Sequence, residues 1–157
     1  MQLTGELTCN APRARLWALL NDPAAIRRHM PGCTGLEPLG GDEYRAELDI
    51  AVATLRGTFS VRLRIGERVE PSGYRIEVQG EGFTGSVAGG GTVALQEQGL
   101  GTHLAYSGEL RVSGTVATLG QRFLAGVGQR MADEFFRGLA SEAELEGPGA
   151  AAPAPRP

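Results

Sequence analysis

Cysteine is scarce: Cys9 and Cys33 are the only two in a chain of 157 residues, with no CxxC pair and no histidine pair nearby. That scarcity excludes a disulfide framework and a cysteine-built zinc site. No run of about 18 apolar residues occurs, so nothing reads as a membrane-spanning helix. The opening Met-Gln-Leu-Thr-Gly-Glu-Leu-Thr lacks both the basic start and the apolar stretch of a secretory signal, and the expected compartment is the cytoplasm. Positive charge is not in excess either. The 15 basic residues face 18 acidic ones, for a formal net charge of -3. Nucleic-acid binders carry the reverse balance on at least one face, and anionic lipid exerts no strong pull on such a chain. There is no internal repeat, and the length suits one domain with its own core.

Glycine, in contrast, is plentiful, with 24 residues, most of them in a strand-like middle. Residues 2–9 alternate, with Leu3, Gly5, Leu7 and Cys9 sharing one face of a half-buried strand. Asn10-Ala11-Pro12 starts a helix that carries Leu16, Trp17 and Leu20. Asp22-Pro23 starts a second short helix, because Asp caps well and Pro fits a first turn. From Cys33 to about Ser113 strands follow one another, joined at Gly40-Gly41-Asp42, Pro71-Ser72-Gly73 and Gly99-Leu100-Gly101. Each strand has one apolar and one polar face, as an antiparallel sheet with one wet side requires.

After Gly114 the period changes to three or four. Val116, Leu119, Phe123, Val127, Met131, Phe135 and Leu139 form one stripe, widened by Leu124, Ala132 and Phe136. This predicts a helix over about 116–145, roughly 45 Å long. Residues 146–157, rich in Pro and Ala, are expected to form a disordered tail beyond a 1–145 domain.

The order of elements predicts an α+β architecture: a curved seven-stranded antiparallel sheet around a long C-terminal helix, with two short helices after strand 1. The long helix is the one element large enough to cover the sheet's apolar face. Glycines inside the strands let the sheet bend and remove side-chain volume from its concave face. The expected result is an apolar cavity lined by Leu48, Ile50, Phe59, Val61, Leu63, Ile76, Val78, Val93, Leu104, Tyr106, Leu119, Phe123, Val127 and Met131. The alternative is a core filled by the helix side chains, leaving a pure interaction module.

Chemistry is missing from the inward positions. By parity no Asp, Glu, His, Lys or Arg faces the concave side of any strand, whereas proton transfer needs a positioned group of suitable pKa. His103 falls on the wet face and His29 at the end of a short helix, both read as surface residues. Gly80-Glu-Gly-Phe-Thr-Gly85 has the spacing of a dinucleotide fingerprint, but it leads into a strand instead of opening a helix, so it is rejected. Tyr44 and Tyr74 are expected to reach water near strand ends. Tyr106 sits mid-strand and needs a hydrogen-bond partner, either from the core or from a ligand. The arginines at 45, 62, 64, 75 and 111 alternate with Glu47, Glu77 and Glu109 and read as cross-strand ion pairs.

Leu3-Thr-Gly-Glu, Ala11-Pro-Arg, Trp17-Ala-Leu-Leu-Asn-Asp-Pro23, Met30-Pro-Gly-Cys33, Gly80-Glu-Gly82 and Ala132-Asp-Glu-Phe-Phe136 together resemble the G-subunit family of carbon monoxide dehydrogenase. That family belongs to the START-like (SRPBCC, polyketide cyclase-like) superfamily. The resemblance implies a non-catalytic accessory protein beside a molybdenum hydroxylase of the carbon monoxide dehydrogenase type. It also implies a quinone as the apolar ligand, no covalently bound cofactor and no metal, and contact with the inner face of a membrane through a partner. The tail itself, with a single Arg156, has no amphipathic segment suited to lipid. The superfamily also contains aromatic cyclases, so the competing reading is a cyclase or dehydratase acting on a polyketide-like substrate.

Overall fold

The computed structural model describes residues 1–82 and 84–150, with side chains through residue 145. The strands are β1 (Gln2–Cys9), β2 (Cys33–Gly40), β3 (Glu43–Val52), β4 (Leu55–Val69), β5 (Gly73–Gly82), β6 (Gly85–Gln98) and β7 (Gly101–Ser113). They form one antiparallel sheet in the order β1-β7-β6-β5-β4-β3-β2. Two short helices, α1 (Arg13–Leu20) and α2 (Pro23–His29), cross from β1 to the far edge strand β2. The Asp22 carboxylate accepts the Ala24 N–H at 3.1 Å, and Pro23 occupies the first turn of α2, the cap expected from sequence.

The curvature is built into β6. Gly91 faces Gly108 of β7, and a side chain there would run into the Ser107 carbonyl, so only glycine lets the two strands coil this tightly. Gly82 of β5 pairs with Gly85, which opens the strand β6 and not a helix.

The long helix differs from expectation at its start. Thr115–Leu119 forms a 3-10 helix, and α3 proper is Gln121–Ala150. Gly120 lies between them at φ +96°, a backbone conformation that breaks any continuous α-helix. The break separates Leu119 from the α3 stripe, whereas Phe123, Val127 and Met131 all lie beyond it on one helix. The tail expected from residue 146 lies outside the described residues beyond Ala150.

Three apolar clusters line the concave side of the sheet, and two of them include residues of α3. Leu16, Trp17 and Leu20 of α1 pack with Leu104, Phe136 and Leu139 at one end. Ala46, Leu48, Val61 and Leu63 form a patch on β3 and β4. Val52, Val116 and Leu124 close the other end. Between these clusters α3 meets the edge strand β1 through Gln129 and Thr4, and the space left between α3 and the middle strands is the candidate site.

Candidate functional site

A cavity of about 380 Å³ lies between the concave face of the sheet and α3. That falls within the range of small-molecule sites, about 300–1,000 Å³. Its sheet wall includes Leu48 and Ile50 of β3, Phe59, Val61 and Leu63 of β4, Ile76 and Val78 of β5, and Val93 of β6. From α3 come Val127 and Met131, both expected, joined by Leu124, Gly128, Ala132, Phe135 and Phe136. Ile26 of α2 and the following Met30 and Pro31 close one side, while Met1 and Leu3 of the β1 edge close another.

Four expected positions fall outside this wall. Leu104 is fully buried in the packed cluster under α1, and Tyr106 shares that cluster. Leu119 lies in the 3-10 helix against the Val52–Val116–Leu124 cluster. Phe123 is 46% exposed: at about 100° per residue it lies at the margin of the α3 face that carries Leu124, Gly128, Met131 and Phe135. The remaining walls have physical causes that were only partly visible. Val87, Leu110 and Val112 have inward parity, but Ile26, Met30 and Pro31 follow from the docking of α2, which no periodicity reports.

Two phenols near the cavity, those of Tyr106 and Tyr74, are committed elsewhere. The Gln129 side chain donates to the Tyr106 hydroxyl at 2.7 Å and to the Thr4 carbonyl at 2.7 Å, and it accepts the Thr4 N–H at 3.2 Å. Tyr106 therefore takes its partner from the core, and its ring stacks on Phe136 at 4.5 Å. Burial pushes its phenol up, and Asp133 adds to the shift. Tyr74 does not reach water. It is buried against Trp17, its hydroxyl donates to the Leu20 carbonyl at 3.4 Å, and desolvation pushes its pKa far up. Among the described lining residues there is no Asp, Glu, His, Arg or Cys. No group of His, Cys, Asp and Glu that could hold a metal ion occurs among the described residues.

His29 departs from its expected surface role. It is partly buried, and its Nε2 lies 2.7 Å from Glu142 Oε1, while Arg28 Nη2 meets Glu142 Oε2 at 2.6 Å. Glu142 on α3 thus holds α2 in place beside the cavity. Burial alone raises the Glu142 pKa, but the hydrogen bonds from His29 and Arg28 outweigh it and hold the carboxyl below its usual value. On the convex face His103 pairs with Glu6 at 2.7 Å.

The arginine band is less paired than the alternation suggested. Arg64 meets Glu77 at 3.8 Å and Arg45 meets Glu37 at 3.6 Å. Arg62, Arg75 and Arg111 have no carboxylate partner among the described residues. Arg62, Arg64, Arg75 and Arg111 share one depression on the outer face with Glu43, Glu77 and Glu109.

A curved antiparallel sheet gripping one long helix over an apolar cavity defines a protein of the START-like, helix-grip class. Residues 5–144 match the family of the carbon monoxide dehydrogenase G subunit, CoxG. The chain belongs to that family. No curated protein matches the sequence. Among solved structures, a conserved protein from Geobacillus kaustophilus is similar at 29% identity and a TM-score of 0.88, covering 94% of this chain and 97% of that one. A START superfamily protein from Mycobacterium smegmatis is similar in fold, with 12% identity, a TM-score of 0.69, and 92% and 97% coverage. An aromatase/cyclase from Streptomyces also shares the fold, with 16% identity, a TM-score of 0.66, and 93% and 94% coverage. No helix among the described residues is long and apolar enough to cross a membrane.

Proposed function

We propose that this protein binds a long, apolar small molecule in the cavity under α3, without transforming it, as an accessory to a carbon monoxide dehydrogenase-type molybdenum hydroxylase. The observation that carries the binding half is the lining itself: a space of about 380 Å³ walled by aliphatic and aromatic side chains. Burying several hundred Å² of ligand there yields several kcal/mol at about 25 cal/mol per Å². The costs of association offset much of that, so affinity is micromolar. Membership in the CoxG family supports the accessory half. The family also suggests a prenylated quinone, whose isoprenoid chain suits these walls and whose ring could pass electrons onward.

The competing reading is a cyclase or dehydratase, for which the shared fold with an aromatase/cyclase is the motive. Such chemistry needs a proton donor or acceptor facing the substrate. Among the described lining residues the hydroxyl groups are those of Tyr44, Tyr74 and Ser86; Tyr74 donates to Leu20, and Ser86 pairs with Ser113 at 2.6 Å. Organic extraction of the purified protein, followed by mass spectrometry, tests the proposal. The expected result is one apolar, chain-bearing species in near-stoichiometric amount, recovered unchanged after incubation. A polyketide converted during incubation would favour the enzyme.

A further inference from the structure

The edge of β7 is incompletely covered beside the cavity. β1 pairs with β7 from Thr102 to Glu109, and the Met1 main chain extends the pairing by one residue. The Leu110 N–H donates to the Met1 carbonyl at 2.9 Å, and the Met1 nitrogen donates back to the Leu110 carbonyl at 2.7 Å. Among the described residues no strand lies opposite Val112 on this edge. Main-chain groups of alternate residues face the same edge of an antiparallel strand, so Val112 turns its N–H toward the open side.

A cleft of about 250 Å³ runs along this edge, between β7 and the start of α3. Met1, Leu110, Val112 and Leu124 wall both this cleft and the main cavity, which makes the two spaces neighbours. The cleft's other walls differ in character, for they include Arg111 and Gln121. Leu110 and Val112 face the cavity, so Arg111 between them rises on the outer side of the same edge. Its guanidinium has no carboxylate partner among the described residues. Two polar side chains, Arg111 and Gln121, therefore stand where this cleft adjoins the apolar cavity.

We infer that this cleft is a head-group subsite for the cavity ligand, which rests on the cavity reading above. The ligand is an amphiphile: its chain lies under α3, and an acceptor oxygen at its end meets Arg111, Gln121 and the Val112 N–H. A fatty-acid carboxylate and a quinone carbonyl share that acceptor chemistry. The unpaired guanidinium favours the carboxylate, whose two oxygens match its planar fork. A charged head held in the cleft also stays near water, which avoids the cost of burying an ion in the cavity.

The test is displacement of the neutral dye N-phenyl-1-naphthylamine by palmitate, methyl palmitate and a short-chain menaquinone. The proteins are wild type, Arg111→Ala, Gln121→Ala and Arg62→Ala, the last removing the same charge elsewhere on the outer face. Palmitate should bind wild type more tightly than its methyl ester does. Arg111→Ala should weaken palmitate about tenfold, the usual scale for a lost charged hydrogen bond, Gln121→Ala should weaken it less, and Arg62→Ala should leave it unchanged. Menaquinone weakened by Arg111→Ala brings the carbonyl head into the cleft as well, while menaquinone unaffected confines the subsite to carboxylates. Equal binding of palmitate and its ester, no loss with Arg111→Ala, or the same loss with Arg62→Ala overturns the subsite. If the dye does not bind wild type at all, the cavity reading falls first and this one with it.

Discussion

Gln129 of α3 holds the Tyr106 hydroxyl at 2.7 Å while the same amide nitrogen donates to Thr4 on the edge strand β1. One side chain thus satisfies a mid-strand phenol and ties the helix to the sheet edge. Tyr106 is therefore structural, and Tyr106→Phe should cost about 1 kcal/mol, the scale of one net hydrogen bond. Ligand affinity should stay within about twofold of wild type, since the bond lost faces Gln129 and not the cavity. Chemical denaturation and dye displacement on the same sample check both halves.

Leu63 carries the opposite expectation. It is 5% exposed on β4 and lines the cavity midway along the strand. Leu63→Arg places a guanidinium among aliphatic walls with no carboxylate to receive it, a costly arrangement. Ligand binding should be abolished. Circular dichroism separates a folded, non-binding protein from one that has lost its fold, and a folded variant that binds as well as wild type contradicts the assignment.

These two residues show what the sequence made legible. Strict alternation from Tyr44 to Val93 reports which face of each strand is apolar, and most of those inward positions do meet the cavity. Parity does not report which part of the helix covers a given strand. Leu104 and Tyr106 face inward like Leu63, but they lie where Phe136 and Leu139 pack down and leave no space. Phe123 fails for another reason: it lies at the margin of the α3 stripe, and the three-or-four spacing does not say where on that stripe the cavity-facing centre falls. The walls from Ile26, Met30 and Pro31 depend on where α2 docks, and that rests on Glu142 across 113 positions of chain.

The Glu142 clamp should give the protein a specific acid sensitivity. Its folded pKa lies below the unfolded value, so its contribution is complete above about pH 5 and is lost as the pH falls through the folded pKa. Glu142→Gln should lower stability at pH 7 by about 1 kcal/mol, equivalent to about 3 °C in Tm for a chain of this size. The two melting curves should converge as the pH drops below about 4. A constant difference down to pH 3 would mean that the clamp contributes by packing and not by charge.

The two thiols should differ sharply in reactivity. Cys9 is buried, and desolvation, followed by the Glu144 charge, pushes its pKa up to about 11. The thiolate is the reactive form, so Cys9 should resist Ellman's reagent at pH 8 in the native protein. Cys33 is half-buried on the edge strand β2 and should react. One thiol released in buffer and two in guanidinium is the expected count, and two fast thiols in buffer would contradict the burial of Cys9.

The central claim is a cavity that takes up a long apolar molecule, and a saturation titration tests it most directly. Delipidated, folded protein is titrated with N-phenyl-1-naphthylamine, and the bound dye is then displaced by palmitate or a short-chain menaquinone. The account predicts a saturable signal with one site per chain, micromolar affinity, and loss of that signal in Leu63→Arg. A folded wild-type protein that shows no saturable response to quinones, fatty acids or other apolar probes would contradict it, leaving the space under α3 as packing and the protein as an interaction module.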